Sequence, residues 1–235
     1  MNRFLRFSVA VIFSLLSLSS VEAIAQDRAQ MEKEIASLVE QLKAKEAEFL
    51  SPSAEDRAAF ADFLKQPDTG LIRLLPREQY REKLIIREGG AYYSFTRLTH
   101  EYGSGSDLSL ERGQLSVGFA GANFGYLADI GDFPIEEITL DHPGVQFLAA
   151  FVTPSTEPEA RAQQRLSGSG FTTGGFTYRR AVPVETNKIY VLRSVNYSQS
   201  DVLVAFRTVR QDTDGSLIIL WKMLNKYPKP ELDRP

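Results

Sequence analysis

Two histidines, a pair of aspartates two residues apart, an acidic group and one glycine-rich run are the residues of this chain whose types and spacing could do chemistry. A zinc hydrolase of the H-E-x-x-H kind needs two imidazoles one helical turn apart. His100-Glu101 is followed by Ser104 where the second histidine would stand, and His142 has no histidine near it. Both read as polar turn residues. Calcium could be held by Asp212 and Asp214 in "DTDGS". A twelve-residue EF-hand loop starting at Asp212 would need glycine at its sixth position and glutamate at its twelfth, and those places hold Leu217 and Met223. Asp214-Gly215 therefore reads first as a hairpin turn, with Asp212 and Asp214 kept as weak metal candidates.

The run "GQLSVGFAGANFGYLADIGD", residues 113–132, carries five glycines among large aromatics. A phosphate cradle pairs such glycines with a following helix N-terminus, a lysine and a hydroxyl, and neither G-x-x-x-x-G-K-[ST] nor G-x-G-x-x-G is matched. No lysine occurs between Lys83 and Lys188. The alternation through Val117, Phe119 and Gly121 changes phase at Phe124, Tyr126 and Ala128, so the expectation is a crowded strand interrupted by a bulge.

Acyl transfer by serine would need a G-x-S-x-G elbow, which is absent. Asp129, Asp132, Glu136 and Glu137 could supply the paired carboxylates of a glycosidase, although an acidic rim in solvent explains them equally well. Sugar binding needs exposed rings beside polar groups, and Tyr92, Tyr93, Tyr102 and Tyr197 are available. The single tryptophan, Trp221, sits in the most apolar strand and reads as core. The candidate binding residues are Arg97, Tyr102, Asn123, Arg193 and Tyr197. Four of them come from a faint internal echo. "RLTHEYGSGSDLSL" and "RSVNYSQSDVLV" each run arginine, tyrosine, then Ser-Asp before an apolar strand, which would set Arg97 against Asp107 and Arg193 against Asp201 in two hairpins.

These residues must be positioned by the elements around them. The chain begins with Arg3 and Arg6, an apolar run from Phe7 to Leu18 and the small triplet Ala23-Ile24-Ala25, the pattern of a cleaved export signal over 1–25. Its apolar run is shorter than the roughly 20 residues of a membrane span, and no later segment reaches that length. Cysteine is absent, which excludes disulfides, thiolate metal sites and a cysteine nucleophile. The formal net charge is −3, and no basic stripe marks a nucleic-acid surface.

Residues 26–70 read as a helical arm of two helices. Met31, Ile35, Leu38 and Leu42 make a narrow stripe, and Ser53 is the expected cap of the second helix, which Pro67 and Gly70 stop. A coiled-coil homo-oligomer through residues 27–50 is one outcome of that stripe, although fewer than four clean heptads are present. From 71 to 226 the period becomes that of strands broken by glycine turns. "KLIIREGGAYYSFTRL" reads as two strands around Gly89-Gly90, "DLSLERGQLSVGF" as two more around Arg112-Gly113, "IEEITL" and "GVQFLAAFV" as further strands and the middle of "TPSTEPEARAQQRLSGSG" as a short helix. Leu217 to Trp221 is apolar without alternation, as in a strand covered on both faces. Residues 227–235 form a proline-rich tail.

The expected fold is mainly β: an antiparallel β-sandwich or partly closed β-barrel preceded by an N-terminal helical segment. The expected function is a secreted or periplasmic binding module, non-enzymatic and without a cofactor, whose partner is an envelope protein or a glycan. The alternatives are a hydrolase of an extracellular polymer and a carbohydrate-binding module.

Overall fold

The computed structural model describes the backbone of residues 4–233 and the side chains of residues 27–233, so the expected export signal over 1–25 lies outside the residues whose side chains are described. The chain divides into two compact units between Glu48 and Phe49. The first is the helix α1 (Phe4–Phe49), on which Met31, Ile35, Leu38 and Leu42 are all exposed. No helix among the described residues is long and apolar enough to cross a membrane.

The second unit opens with α2 (Ala54–Ala59), and a short helix α3 (Arg77–Tyr80) follows its first strand. The start of α2 is written in the local sequence: Ser53 Oγ accepts from the Asp56 amide at 3.0 Å while the Asp56 carboxylate accepts from the Ser53 amide at 3.3 Å, a capping box. Asp56 also takes two hydrogen bonds from Arg210, at 2.6 and 3.1 Å. That pair ties α2 to the β unit, so the helical arm expected over 26–70 is split between the two units.

Five antiparallel strands form the larger sheet, in the order β1 (Thr69–Leu74), β12 (Leu217–Tyr227), β11 (Ser200–Gln211), β10 (Ile189–Asn196) and β6 (Phe124–Gly131). The second sheet orders β3 (Thr99–His100), β2 (Tyr92–Ser94), β4 (Leu108–Glu111), β5 (Gln114–Ser116) and β9 (Ala181–Pro183). The sheets pack through Leu108, Leu110, Leu115 and Val182 on one side and Leu192, Phe206, Ile219 and Trp221 on the other. Burying such a side chain contributes about 1.5–3 kcal/mol. The fold is thus an open β-sandwich, mainly β, and no barrel closes.

A third layer explains the unbroken apolar run in β12. Leu217, Ile219 and Trp221 enter the core between the sheets, while Ile218 and Leu220 face a second core on the opposite side. That core is covered by α4 (Pro143–Ala150), α5 (Glu157–Ser169) and the hairpin of β7 (Phe171–Thr173) and β8 (Phe176–Tyr178). β1 meets β12 through Gly70, where a Cβ would stand 2.6 Å from the Trp221 ring.

Several expected strands differ. "IEEITL" contains a 3-10 turn over Ile135–Glu137, and "GVQFLAAFV" contributes to α4. In the latter the short apolar run does not distinguish the two periods. Pro143 at the first turn and His142, whose Nδ1 accepts from the Gly144 amide at 3.1 Å, decide for helix, and Val145 and Leu148 bury the same face. "KLII" is not a strand; Leu84 and Ile86 pack on a small cluster of Leu50, Leu75 and Tyr80. The glycine-rich run is not one crowded strand. It leaves the smaller sheet as β5, turns through residues 117–123 and enters the larger sheet as β6. The phase change at Phe124 is this change of sheet, and the register shift of β6 lies further on, between the partners Gly131 and Asp129.

Candidate functional site

Alternation in β4 and β5 sends Leu108, Leu110 and Leu115 into the core, which leaves Ser109, Glu111, Gln114 and Ser116 on the outer face of the smaller sheet. Register aligns them. Tyr92, Ser109, Ser116 and Ala181 stand opposite one another across four strands, and Glu111 pairs with Gln114 in the next row on that face. The Ser109 and Ser116 hydroxyls bond each other at 2.8 Å. Ser109 is fully buried, so the floor is Glu111, Gln114 and Ser116, and over it lies an open groove of about 500 Å³, with Tyr102, Phe119, Arg77, Arg112 and Arg180 also in its lining.

Tyr92 is the hub of the groove. Its ring meets Tyr102 edge to face at 4.8 Å and Phe119 at 5.0 Å, and Arg87 lies over the Tyr102 ring at 4.4 Å. The Tyr92 hydroxyl donates to Glu111 Oε1, and Arg77 donates to Glu111 Oε2 at 3.2 Å and to Glu88 at 2.6 Å. Burial first, and then the Glu111 carboxylate, pushes the Tyr92 phenol above its ordinary range. Both oxygens of Glu111 are engaged, and it is the only carboxylate in the lining. Three arginines and one glutamate are in its lining, with Glu88 on Arg77 and Glu78 on the Arg112 amide just outside it.

A neighbouring depression of about 290 Å³ shares Phe119 and Arg180 with the groove and is walled by the 117–123 turn. The turn presents carbonyls, the opposite polarity to a phosphate cradle. Arg180 donates to the Val117 and Gly118 oxygens at 3.2 and 2.8 Å, and Arg161 and Gln164 from α5 donate to the Gly121 oxygen at 2.6 and 2.9 Å. Gly118 has φ 80°, and a Cβ there would stand 2.9 Å from the Phe124 Cα. The glycines therefore serve a tight crossing between sheets.

Of the five candidate binding residues Tyr102 alone lies in the groove, together with Tyr92, one of the rings the sequence offered for a sugar. Asn123 lines the smaller depression, but its side chain is committed: Oδ1 accepts from the Tyr197 amide at 3.0 Å and Nδ2 donates to the Ser104 oxygen at 3.2 Å. Tyr197 is buried and donates to the Pro154 oxygen at 2.7 Å. Arg193 and Asp201 do pair, at 2.6 and 2.9 Å, but only 1% and 2% exposed. The same guanidinium donates to the Leu148 oxygen at the end of α4 and lies 3.4 Å from the Tyr227 ring centre, so it fastens the helical layer to the sheet.

Arg97 does not face Asp107. It pairs with Glu101 and donates to Gln199, while Asp107 turns inward to the Asn196 amide at 2.8 Å. The two echoing segments thus pack against each other.

The metal candidates are likewise occupied. Asp212 accepts from Arg210 at 2.5 Å, and Asp214 accepts from Arg73, Tyr80 and Ser216 at 2.6, 2.7 and 2.6 Å. Among the described residues no three His, Asp or Glu side chains gather as a metal-holding group. His100 Nε2 bonds the Arg73 carbonyl oxygen at 2.8 Å, and burial lowers its pKa. Asp129 accepts from the Gly131 amide at 2.8 Å, and Asp132 pairs with Arg207 at 3.6 Å. Neither lines the groove or the smaller depression.

Sequence reasoning missed Arg77, Glu111, Arg112, Phe119 and Arg180. A signal was present for two of them. "LERGQL" alternates as a hairpin that must send Glu111 outward, and it puts Arg112 at a turn position where asparagine, aspartate or glycine is the usual residue. No protein-family model, curated protein or solved structure matches the chain.

Proposed function

We propose that this chain is an exported, non-enzymatic binding module whose β-sandwich takes a glycan in the groove on the outer face of its smaller sheet. The observation that carries the reading is the composition of that groove. It combines aromatic rings, a floor of hydroxyl and amide groups, and a single carboxylate already engaged at both oxygens. Rings pack on the C–H faces of sugars, and the floor can exchange hydrogen bonds with sugar hydroxyls. A glycosidase would need two free carboxylates about 5–9.5 Å apart, whereas Glu111 and its neighbour Glu88 are both held by Arg77. The pattern of residues 1–25 supports export, to the periplasm or the medium.

Affinity electrophoresis through gels containing neutral and acidic polysaccharides tests the reading. The wild-type chain should be retarded by at least one polymer, and Phe119→Ala should weaken that retardation about tenfold, the loss expected for one aromatic contact worth about 1.4 kcal/mol. Unretarded migration in every gel would remove the proposal, and release of reducing ends from any of the polymers would replace it with the hydrolase.

A further inference from the structure

Arg112 stands in a backbone conformation that its side chain does not favour. It and Gly113 are the two central residues of the β4–β5 turn, with φ of 50° and 69°. Glycine, asparagine and aspartate enter this left-handed region readily, whereas a long side chain does so at a cost. Strain of this kind clusters at functional sites. Glu88 offers the comparison. It too is left-handed, with φ 60°, and its carboxylate is paired with Arg77 beside the groove. The backbone amide of Arg112 is held by Glu78 at 2.8 Å, but among the described residues its guanidinium makes no ion pair. It lines the groove, whose one lining carboxylate, Glu111, is already taken by Tyr92 and Arg77.

We infer that the ligand of this groove is an acidic glycan, and that Arg112 is the anchor for its negative group. The inference rests on the glycan-binding reading above and adds the charge. A guanidinium offers a planar fork of donors that matches a carboxylate or a phosphate at two points, and it stays charged at every working pH. Phe119 and Tyr102 contact the sugar ring while Arg112 takes its oxyanion. Arg77 cannot serve in its place, because Glu88 and Glu111 already neutralise it, and Arg180 is spent on the Val117 and Gly118 carbonyls.

The test measures binding of polygalacturonate and of phosphomannan, each beside its neutral counterpart, methyl-esterified polygalacturonate and unphosphorylated mannan. The wild-type chain should bind one acidic polymer at least tenfold more tightly than its neutral form, and the polymer it prefers identifies the oxyanion as carboxylate or phosphate. Arg112→Asn should bind the acidic and neutral forms alike. Its thermal midpoint should equal or exceed that of the wild type, since asparagine suits the left-handed turn, so the loss of preference is not a loss of fold. Arg112→Lys should recover part of the preference.

Equal wild-type binding of acidic and neutral polymers would overturn the inference and leave the glycan-binding reading standing. Binding of none of the four would remove both. An acidic preference that survives Arg112→Asn would assign the anchor elsewhere and overturn the role given to Arg112.

Discussion

Asp107 has no exposed surface, yet it is a carboxylate. Its oxygens accept from the Phe95 amide at 2.8 Å and the Asn196 side chain at 2.8 Å, and Ser94 lies at 3.5 Å. Burial raises its pKa to about 6, and the hydrogen bonds of Ser194, Phe95 and Ser94 offset that only in part. An acid whose pKa is higher folded than unfolded binds its proton more tightly in the native state. Its contribution to stability is therefore full below the unfolded value near 3.8 and is lost as pH rises through about 6. The loss is on the order of 3 kcal/mol. Asp214 runs the other way: burial raises it, but hydrogen bonds from Ser216 and Tyr80 and the charge of Arg73 prevail and hold it at about 2. A plain pH profile would mix the two, so the measurement is a difference. From pH 4 to 7 the urea midpoint of the wild type should fall relative to that of Asp107→Asn, and parallel profiles would show that Asp107 keeps an ordinary pKa. None of this is legible in "GSGSD", where a turn aspartate looks solvated. Its burial comes from the second echoing segment, 89 residues away, which brings Asn196 to it.

At the scale of elements, α1 carries its own test. Taking Met31 and Leu38 as one seam position and Ile35 and Leu42 as the other, the flanking positions are Asp27, Glu32, Glu34, Val39, Gln41, Glu46 and Glu48. Five of these are acidic and none is basic, so a second copy packed on the stripe would bring like charges together. With a Debye length of about 8 Å at physiological ionic strength, added salt screens that repulsion. Self-association through α1 should therefore be weak at low salt and strengthen in 1 M salt, and Leu38→Lys should abolish it. Sedimentation velocity reads both, and a dimer that weakens with salt would contradict the charge argument. This stripe was plain in the sequence because a long surface helix shows its period over several turns. The cap at Ser53 and the hairpin at Arg112-Gly113 were plain for the same local reason: each needs only neighbouring residues. α4 was not, since its run is short and apolar on all sides, and neither was β1, whose Thr69-Gly70 resembles a helix stop. The groove was least legible of all. Register sets Tyr92 and Glu111 on one face of the smaller sheet, and Arg77, Phe119 and Arg180 reach it from a short helix and two connecting segments.

For the whole molecule, the cores say which residues the fold depends on. The core between the sheets and the core beneath the helices contain no residue before Phe60, and the small third cluster begins at Leu50. The stripe of α1 adds nothing to any of them, since its side chains are exposed. The groove draws on residues from Arg77 to Ala181, entirely inside the second unit. A chain beginning at Phe49 should therefore fold by itself and keep the binding of the longer chain. In a unit of this size 1 kcal/mol moves the thermal midpoint by about 2–4 °C, so the truncated and longer chains should melt within about 3 °C of each other. They should also be retarded equally by the same polysaccharide. A fall of roughly 8 °C or more would mean that α1 shares the cooperative unit. Equal melting with lost retardation would place part of the recognition on α1, and the outer face of the smaller sheet would then hold only one portion of the ligand.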